Sequence, residues 1–358
     1  MGTVTRLARG LLIGAALLYC VAVIALVLLW SLDPDRIWWL ALSNVFALYL
    51  FVPLLLIAPA ALLLRSRWLR GAACIMLVAF LALFGQRLIP PLERPTDAAR
   101  LRVMTINQLY TNQRVADLIA AIRAQNADIV AIQELSEPVA EAAARQLRDA
   151  YPHQFLTPGA EDYGLGILSR YPLRMSARTR GFVGLRTIVD VDGTAITLIN
   201  VHLNAPQVRT RRLRQFRPVK VVLDYDTSRR ARDFPILLRE IDAVEGPLVV
   251  MGDFNTSDRE PPYAELAARL HDAYREAAWG FGFTFPDDQR IARLAVPFPL
   301  VRIDYVWSRG GLAPASARVA CDSGGSDHCA VVADLYVGTN LNQPVAEHSN
   351  DEAAEGWK

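Results

Sequence analysis

Leu11 to Trp30 is an unbroken apolar run, and Ile37 to Leu64 and Gly71 to Gly85 are two more close behind it. A bilayer core needs roughly 20 helical residues, so the first two runs suffice, and the third does once Trp68 and Leu69 extend it. Three transmembrane helices over about 11–30, 38–64 and 69–85 are therefore expected, making residues 1–87 a membrane domain. A cleaved signal peptide is the competing reading of the first run, because Arg6 and Arg9 precede it like an n-region. The run is too long for that, and no small-x-small cleavage site follows before Asp33-Pro34-Asp35.

The short loops give an orientation. Arg6 and Arg9 precede the first run, Arg65, Arg67 and Arg70 separate the second and third, and the loop between the first two holds Asp33, Asp35 and one arginine. The positive-inside bias places the amino terminus in the cytoplasm and everything after the third run outside it, in a multi-pass protein of the inner or plasma membrane. Trp30, Trp38, Trp39 and Trp68 fall at the expected interfaces, where amphipathic rings prefer to sit. A net charge of +2 neither demands nor excludes an anionic partner.

Pro90-Pro91 and Pro95 mark a stiff linker over 88–100. Beyond it, over 101–337, short apolar runs read as strands: Leu101 to Ile106, Ile129 to Gln133, Gly166 to Ser169, Thr187 to Val191, Ala195 to His202, Leu248 to Gly252, Ile303 to Trp307 and Ala330 to Tyr336. Helical patterns at Arg114 to Gln125, Pro138 to Ala150, Ser228 to Val244 and Pro262 to Leu270 separate some of them. The mixture predicts an α+β sandwich rather than a strict βαβ repeat. Residues 338–358 are polar enough to form a disordered tail.

Several of these strands end in a polar group. Glu134 follows Asp128-Ile129-Val130-Ala131-Ile132-Gln133, where a fixed carboxylate would hold a hard cation such as Mg²⁺, and Asn107 would add a neutral oxygen beside it. Each alone is more often a helix cap or a turn former. Asp253 and Asn255 follow Val249-Val250-Met251-Gly252, placing a group that orients or deprotonates water next to one that donates to a phosphoryl oxygen. An Asx turn is the bland reading there. Among five histidines only His202 and His328 follow buried strands. Cys321 and Cys329 bracket the Ser326-Asp327-His328 loop; free buried thiols are expected, with a disulfide holding the loop as the alternative.

Asn107, Gln133-Glu134, Gly166-Ile167-Leu168-Ser169-Arg170-Tyr171-Pro172, His202, Gly252-Asp253-Phe254-Asn255, Arg302-Ile303-Asp304-Tyr305 and Ser326-Asp327-His328 resemble, in order, the motifs of the endonuclease/exonuclease/phosphatase superfamily. The resemblance implies a four-layer α/β/β/α sandwich of two packed mixed β-sheets flanked by helices, and Mg²⁺-dependent cleavage of phosphoester bonds, with Mn²⁺ as the alternative ion. It makes Glu134 the principal metal ligand, with Asn107 and Asp327 nearby, and gives Asp253 the attacking water. Asn255 would contact the phosphoryl group, His202 would bind phosphate from the opposite side, and His328 would act as base or transition-state stabiliser with its tautomer fixed by Asp304. Tyr163, in the loop before Gly164, and Arg212 are substrate-binding candidates.

Two regions bear on the substrate. Arg209, Arg211, Arg212, Arg214, Arg217 and Lys220 form a basic run that suits a nucleic-acid backbone, anionic lipid headgroups or a pyrophosphate, or is simply a solvated helix face. The apolar stretch Ile291 to Val301 either packs under the sheet or forms a greasy lip suited to a lipid.

Three spans followed by this domain resemble bacterial membrane proteins of the superfamily associated with teicoplanin resistance. The function this implies is an extracytoplasmic, membrane-tethered phosphohydrolase acting on a phosphorylated or lipid-linked envelope substrate. A tether raises encounters with a partner that is itself confined to the bilayer. A surface-anchored nuclease acting on DNA or RNA and a non-catalytic membrane receptor are the alternatives; no protein partner is implied.

Overall fold

The computed structural model describes residues 3–35, 37–91, 98–160, 163–212, 220–287, 290–291, 294–295 and 298–338. The expected tail beyond Gly338, the middle of the linker (92–97) and the centre of the basic run lie outside the described residues.

At the amino terminus stand α1 (Thr3–Leu32), α2 (Trp38–Val45), a 3-10 turn (Ala47–Phe51), α3 (Leu54–Leu63) and α4 (Arg67–Phe84), closed by a second 3-10 turn (Gly85–Leu88). Among the described residues two helices, Arg6–Leu32 and Arg67–Leu88, are long and apolar enough to cross a membrane. The expected single helix over 38–64 is instead broken, with Trp38–Val45 and Ala47–Leu63 bent by 76°. Phe46 leaves helical geometry, and Pro53, lacking an N–H, cannot continue a helical ladder. These segments make a third crossing only if they count as one bent span.

The sandwich then follows as β1 (Ala99–Asn107), α5 (Val115–Ala124), β2 (Ile129–Gln133), α6 (Glu137–Gln146), β3 (His153–Thr157), β4 (Leu165–Ser169), β5 (Leu173–Arg178), β6 (Val183–Val191) and β7 (Thr194–His202). Next come β8 (Gln207–Arg212), β9 (Lys220–Asp226), α7 (Ser228–Asp242), β10 (Leu248–Asp253), α8 (Pro261–Ala267), β11 (His271–Asp272) and α9 (Ala273–Ala277). The last described elements are β12 (Arg290–Ile291), β13 (Leu294–Ala295), β14 (Asp304–Arg309), β15 (Leu312–Ala320) and β16 (Ala330–Val337). One six-stranded sheet runs β15-β16-β1-β2-β4-β3, the other β11-β14-β10-β7-β6-β5, and both mix parallel and antiparallel pairs.

Strand alternation builds the layers. Leu101 and Val103 turn into the core between the sheets, while Met104 and Ile106 face α5 and α6 on the outside. Likewise Val249 and Met251 face inward, and Leu248 and Val250 pack under α7 and α8. With both faces covered, the central strands read as continuous apolar runs, which is why they were visible in the sequence. The result is two packed mixed sheets flanked by helices, as expected.

Several strands escaped the sequence pattern. β15 contains Pro314 and small residues and sits at a sheet edge, where a register shift absorbs the proline. β3 and β5 are also edges and only partly buried, so neither carries a full apolar alternation. Where it is described, the basic run is strand rather than helix face: Arg209, Arg211 and Arg212 lie on β8, which pairs with β9 as a separate hairpin. The cysteine expectation is also corrected. Pairing of β15 with β16 up to Ala320 opposite Ala330 sets Cys321 and Cys329 against each other, and they form a disulfide with Cα atoms 4.2 Å apart.

Candidate active site

Parallel pairing sets the geometry of the site. β1 lies beside β2 with Asn107 opposite Gln133, and β7 lies beside β10 with His202 opposite Asp253. Antiparallel β14 then brings Asp304 opposite Asp253. The strand ends of both sheets thus deliver Asn107, Glu134, His202, Asp253 and Asp304 to one edge of the sandwich.

Backbone shape aims the side chains. Glu134 and Asn255 adopt φ of 55° and 48°, left-handed values that are uncommon for non-glycine residues and cluster at functional sites. Gly252 serves close strand packing. It lies inside β10, and a Cβ there would meet the Val201 carbonyl oxygen at 1.9 Å, so its bareness lets β7 and β10 close beneath the site.

Asp253 is the hub. Its Oδ1 accepts from the Asn255 backbone N–H at 2.8 Å, and its Oδ2 accepts from Asn107 Nδ2 at 3.1 Å and Asn255 Nδ2 at 3.2 Å. Asn107 Nδ2 also donates to Glu134 Oε1 at 2.9 Å, and Glu134 Oε2 accepts from the Tyr110 N–H at 2.8 Å. His202 Nε2 stands 3.8 Å from Glu134 and 3.7 Å from Asp253, and His328 Nε2 lies 3.9 Å from Asp253. On its other side His328 Nδ1 pairs with Asp304 Oδ2 at 3.0 Å. Ser326 Oγ donates to the Asn107 carbonyl and accepts from the His328 N–H, tying the last loop to β1.

The electrostatics follow from burial. Asp253, Asp304, His202 and His328 are buried, and Glu134 is less enclosed. Burial opposes a charge on His328, but Asp304 and Asp253 outweigh it and lift the imidazole to about 10. Burial and the Asp304 charge push the Asp253 carboxyl up, against the opposing pull of His328 and His202. Burial likewise raises Asp327, whose backbone carbonyl accepts from the Asp287 N–H at 2.7 Å.

The donor set suits a hard divalent ion. The carboxylates of Glu134, Asp253 and Asp304 gather with the imidazoles of His202 and His328, and Asp304 Oδ1 is buried without a hydrogen-bond partner among the described residues. Ligand atoms of Asp253, Asp304 and His328 all lie within 4.8 Å of one another. The Glu134 side chain is 18% exposed against 1% for Asp253 and Asp304, which makes it more open to a hard, oxygen-preferring divalent ion than either. Asn107 turns its amide nitrogen to the carboxylates and uses its oxygen to accept from the Leu109 N–H.

Two candidates lie further out. Tyr163 is 55% exposed in a turn whose Gly164 carbonyl accepts from the Leu135 N–H, one residue past Glu134. The Arg212 backbone closes β8 opposite Lys220, and its side chain lies outside the described residues.

Sequence reasoning missed the floor of the site. Gln133 Nε2 donates to Asn200 Oδ1 at 2.6 Å and to Thr105 Oγ1 at 3.0 Å, and Asn200 Nδ2 donates to the Ile132 and Gly166 carbonyls, joining the two sheets. The available signal was Asn200 itself, a polar residue inside an apolar strand. Phe285, whose ring lies 4.7 Å from that of His328, gave none.

Residues 104–328 match the model of the Endonuclease/Exonuclease/phosphatase family. No curated protein matches the sequence. Among solved structures, D. rerio TDP2 complexed with single strand DNA product is similar at 16% identity, with a TM-score of 0.52, over 67% of this chain and 100% of that one. A humanized D. rerio TDP2 gives 17% identity and a TM-score of 0.51 over 66% and 99%. An endonuclease/exonuclease/phosphatase from Beutenbergia cavernae gives 21% identity and a TM-score of 0.47 over 67% and 72%.

Proposed function

The chain belongs to the endonuclease/exonuclease/phosphatase family, and from that premise we propose that it is a membrane-tethered, extracytoplasmic phosphohydrolase acting on a phosphorylated or lipid-linked envelope substrate. The observation that carries the reading is convergence: groups from both sheets meet around Asp253 in a buried, oxygen-rich pocket.

Glu134 would hold Mg²⁺, with Asn107 and Asp327 beside it, and the bound ion supplies charge neutralisation at a phosphoryl oxygen. Asp253 orients the attacking water. Asn255 donates to Asp253 and to the Leu203 carbonyl, so it fixes the Asp253 carboxylate before it contacts any phosphoryl group. His328, held protonated by Asp304, donates from Nε2 to a phosphoryl oxygen as charge develops, which favours transition-state stabiliser over base. His202 contacts phosphate from the opposite wall.

Location and substrate rest on the apolar amino-terminal helices and on chemistry. The Cys321–Cys329 disulfide suits an oxidising compartment outside the cytoplasm. A nuclease is the second reading, favoured by the exposed Arg209 and Arg211 on the β8–β9 hairpin and by the likeness to a structure solved with single strand DNA product. The test is turnover by the full chain in nanodiscs of lipid pyrophosphates, phospholipids, inositol phosphates, DNA and RNA, with Mg²⁺ or chelator. Mg²⁺-dependent release from a lipid pyrophosphate supports the first reading; cleavage of nucleic acid alone supports the second and removes the first.

A further inference from the structure

The membrane helices touch the sandwich on the rim that carries the site. Asn44, buried on α2, donates from Nδ2 to the Arg259 carbonyl at 2.6 Å and accepts from Arg259 Nη2 at 3.1 Å. Arg87, in the turn that closes α4, donates to Asp258 Oδ2 at 2.6 Å, with the two side chains 9% and 12% exposed. Asp258 and Arg259 belong to the segment just after Asn255. That segment is held on its inner side by Tyr305, whose hydroxyl donates to the Thr256 carbonyl at 2.8 Å, and by Glu260, which accepts from the Ser257 N–H at 2.7 Å. Burial pushes the Asp258 carboxyl up, but the Arg302 and Arg87 guanidiniums prevail and hold it below its ordinary value.

A second grip lies on the His328 side. Tyr49, in the 3-10 turn of the bent segment, stacks on Phe283 with ring centroids 6.4 Å apart and donates its hydroxyl to the Leu300 carbonyl at 2.8 Å. Phe283 and Leu300 flank a short ladder in which the Phe285 N–H donates to the Val301 carbonyl at 3.0 Å, and the Leu300 and Val301 N–H groups donate to the Phe285 carbonyl. The ladder reaches the catalytic pair directly. Thr284 Oγ1 accepts from the Asp304 N–H at 3.3 Å, its carbonyl accepts from the Cys329 N–H at 2.8 Å, and the Phe285 ring lies against His328.

We infer that the membrane helices are part of the active-site scaffold, with Arg87 a positioning residue for the Asp253–Asn255 turn and Tyr49 a positioning residue for the His328–Asp304 pair. A plain tether would need only the covalent connection. Here the buried Asn44 and Arg87 and the half-buried Tyr49 hold both halves of the site from outside, and neither Arg87 nor Tyr49 touches the reacting atoms. Burying an ion pair costs desolvation that offsets most of its Coulomb gain, so such a pair defines geometry more than it adds stability. A misplacement of about 1 Å at a reacting group costs about 100-fold in rate, so a small shift of either segment would register in turnover.

The inference rests on the phosphohydrolase reading of the site, and the test separates the two. The full chain in nanodiscs, as wild type, Arg87→Gln, Arg87→Lys and Tyr49→Phe, is assayed with Mg²⁺ on p-nitrophenyl phosphate and bis-p-nitrophenyl phosphate, and in parallel by amide hydrogen exchange. Arg87→Gln should speed exchange in 253–260, and Tyr49→Phe in 300–304 and 327–329, with the β3 edge unchanged. Each should lower kcat by about 10-fold or more with KM within about twofold, and Arg87→Lys should recover most of the loss. Wild-type exchange in those segments, or wild-type kcat in Arg87→Gln, overturns the inference. If the wild type turns over neither ester, the phosphohydrolase reading loses its support while the exchange arm still decides the positioning role.

Discussion

Asp253 at the end of β10 accepts a hydrogen bond from Asn107 at the end of β1, 3.1 Å away, so the two sheets meet at the site through a carboxylate and an amide. The same amide nitrogen reaches Glu134 at 2.9 Å and keeps two carboxylates in one plane of action. Asn107→Ala removes that bridge. Groups that orient metal ligands typically contribute 10- to 100-fold, so the Mg²⁺ concentration for half-maximal activity should rise by roughly that factor. A Mg²⁺ titration of the variant checks it; an unchanged half-point removes Asn107 from the cation site.

His328 owes its raised basicity to Asp304 and Asp253, with Asp304 at hydrogen-bond distance. With Asp304 neutralised as Asn, the imidazolium should lose its proton at lower pH than the value of about 10 in the native protein. The alkaline limb of the pH–rate profile should move toward neutrality, and kcat should fall by roughly 10²- to 10⁴-fold. A limb that stays in place would mean that His328 does not act in its protonated form.

Asp258 titrates in the opposite sense. Its folded pKa lies below the unfolded value, so it contributes stability that is present above the ordinary carboxylate pKa and is lost as pH falls through the folded value. Removing one partner of a buried ion pair costs about 3 kcal/mol, so Asp258→Asn should be destabilised by about that much at pH 7 and by progressively less below about pH 4. Thermal melting across that range checks the sign. A penalty that grows toward low pH contradicts it.

The disulfide closes the short loop that carries Asp327 and His328. Loop-closure entropy for a segment of this length is worth about 2–3 kcal/mol, so Cys321→Ser with Cys329→Ser should lower the melting temperature and speed amide exchange at 322–328. Exchange equal to wild type would show that Ser326 and the Thr284 carbonyl hold the loop without the bridge.

Much of the site was legible because Glu134, His202 and Asp253 each end a strand buried on both faces, and such strands announce themselves as continuous apolar runs. Asn200 was readable in principle, as a lone amide amid aliphatic neighbours, but its partner Gln133 is 67 residues away and only pairing across the sandwich reveals the bond. Phe285 and Thr284 gave no signal, since their roles depend on a ladder with Val301 that has no periodic signature. Edge strands such as β15 lack the apolar face that marks a strand in sequence. The break after Val45 was obscured for a related reason: hydropathy fixes whether a segment is apolar, and backbone geometry at Phe46 and Pro53 decides whether it stays one helix.

The central claim is that these groups form one metal-assisted phosphoester site, and Glu134 tests it most directly because its carboxylate is more open to a cation than those of Asp253 and Asp304. The measurement is Mg²⁺-dependent phosphate release from a lipid pyrophosphate by the full chain in nanodiscs, wild type against Glu134→Ala. The wild type should turn over with Mg²⁺ and stop with chelator, and Glu134→Ala should be inactive while melting as a folded protein. Turnover by Glu134→Ala at the wild-type rate, or wild-type turnover indifferent to chelator, would contradict the account.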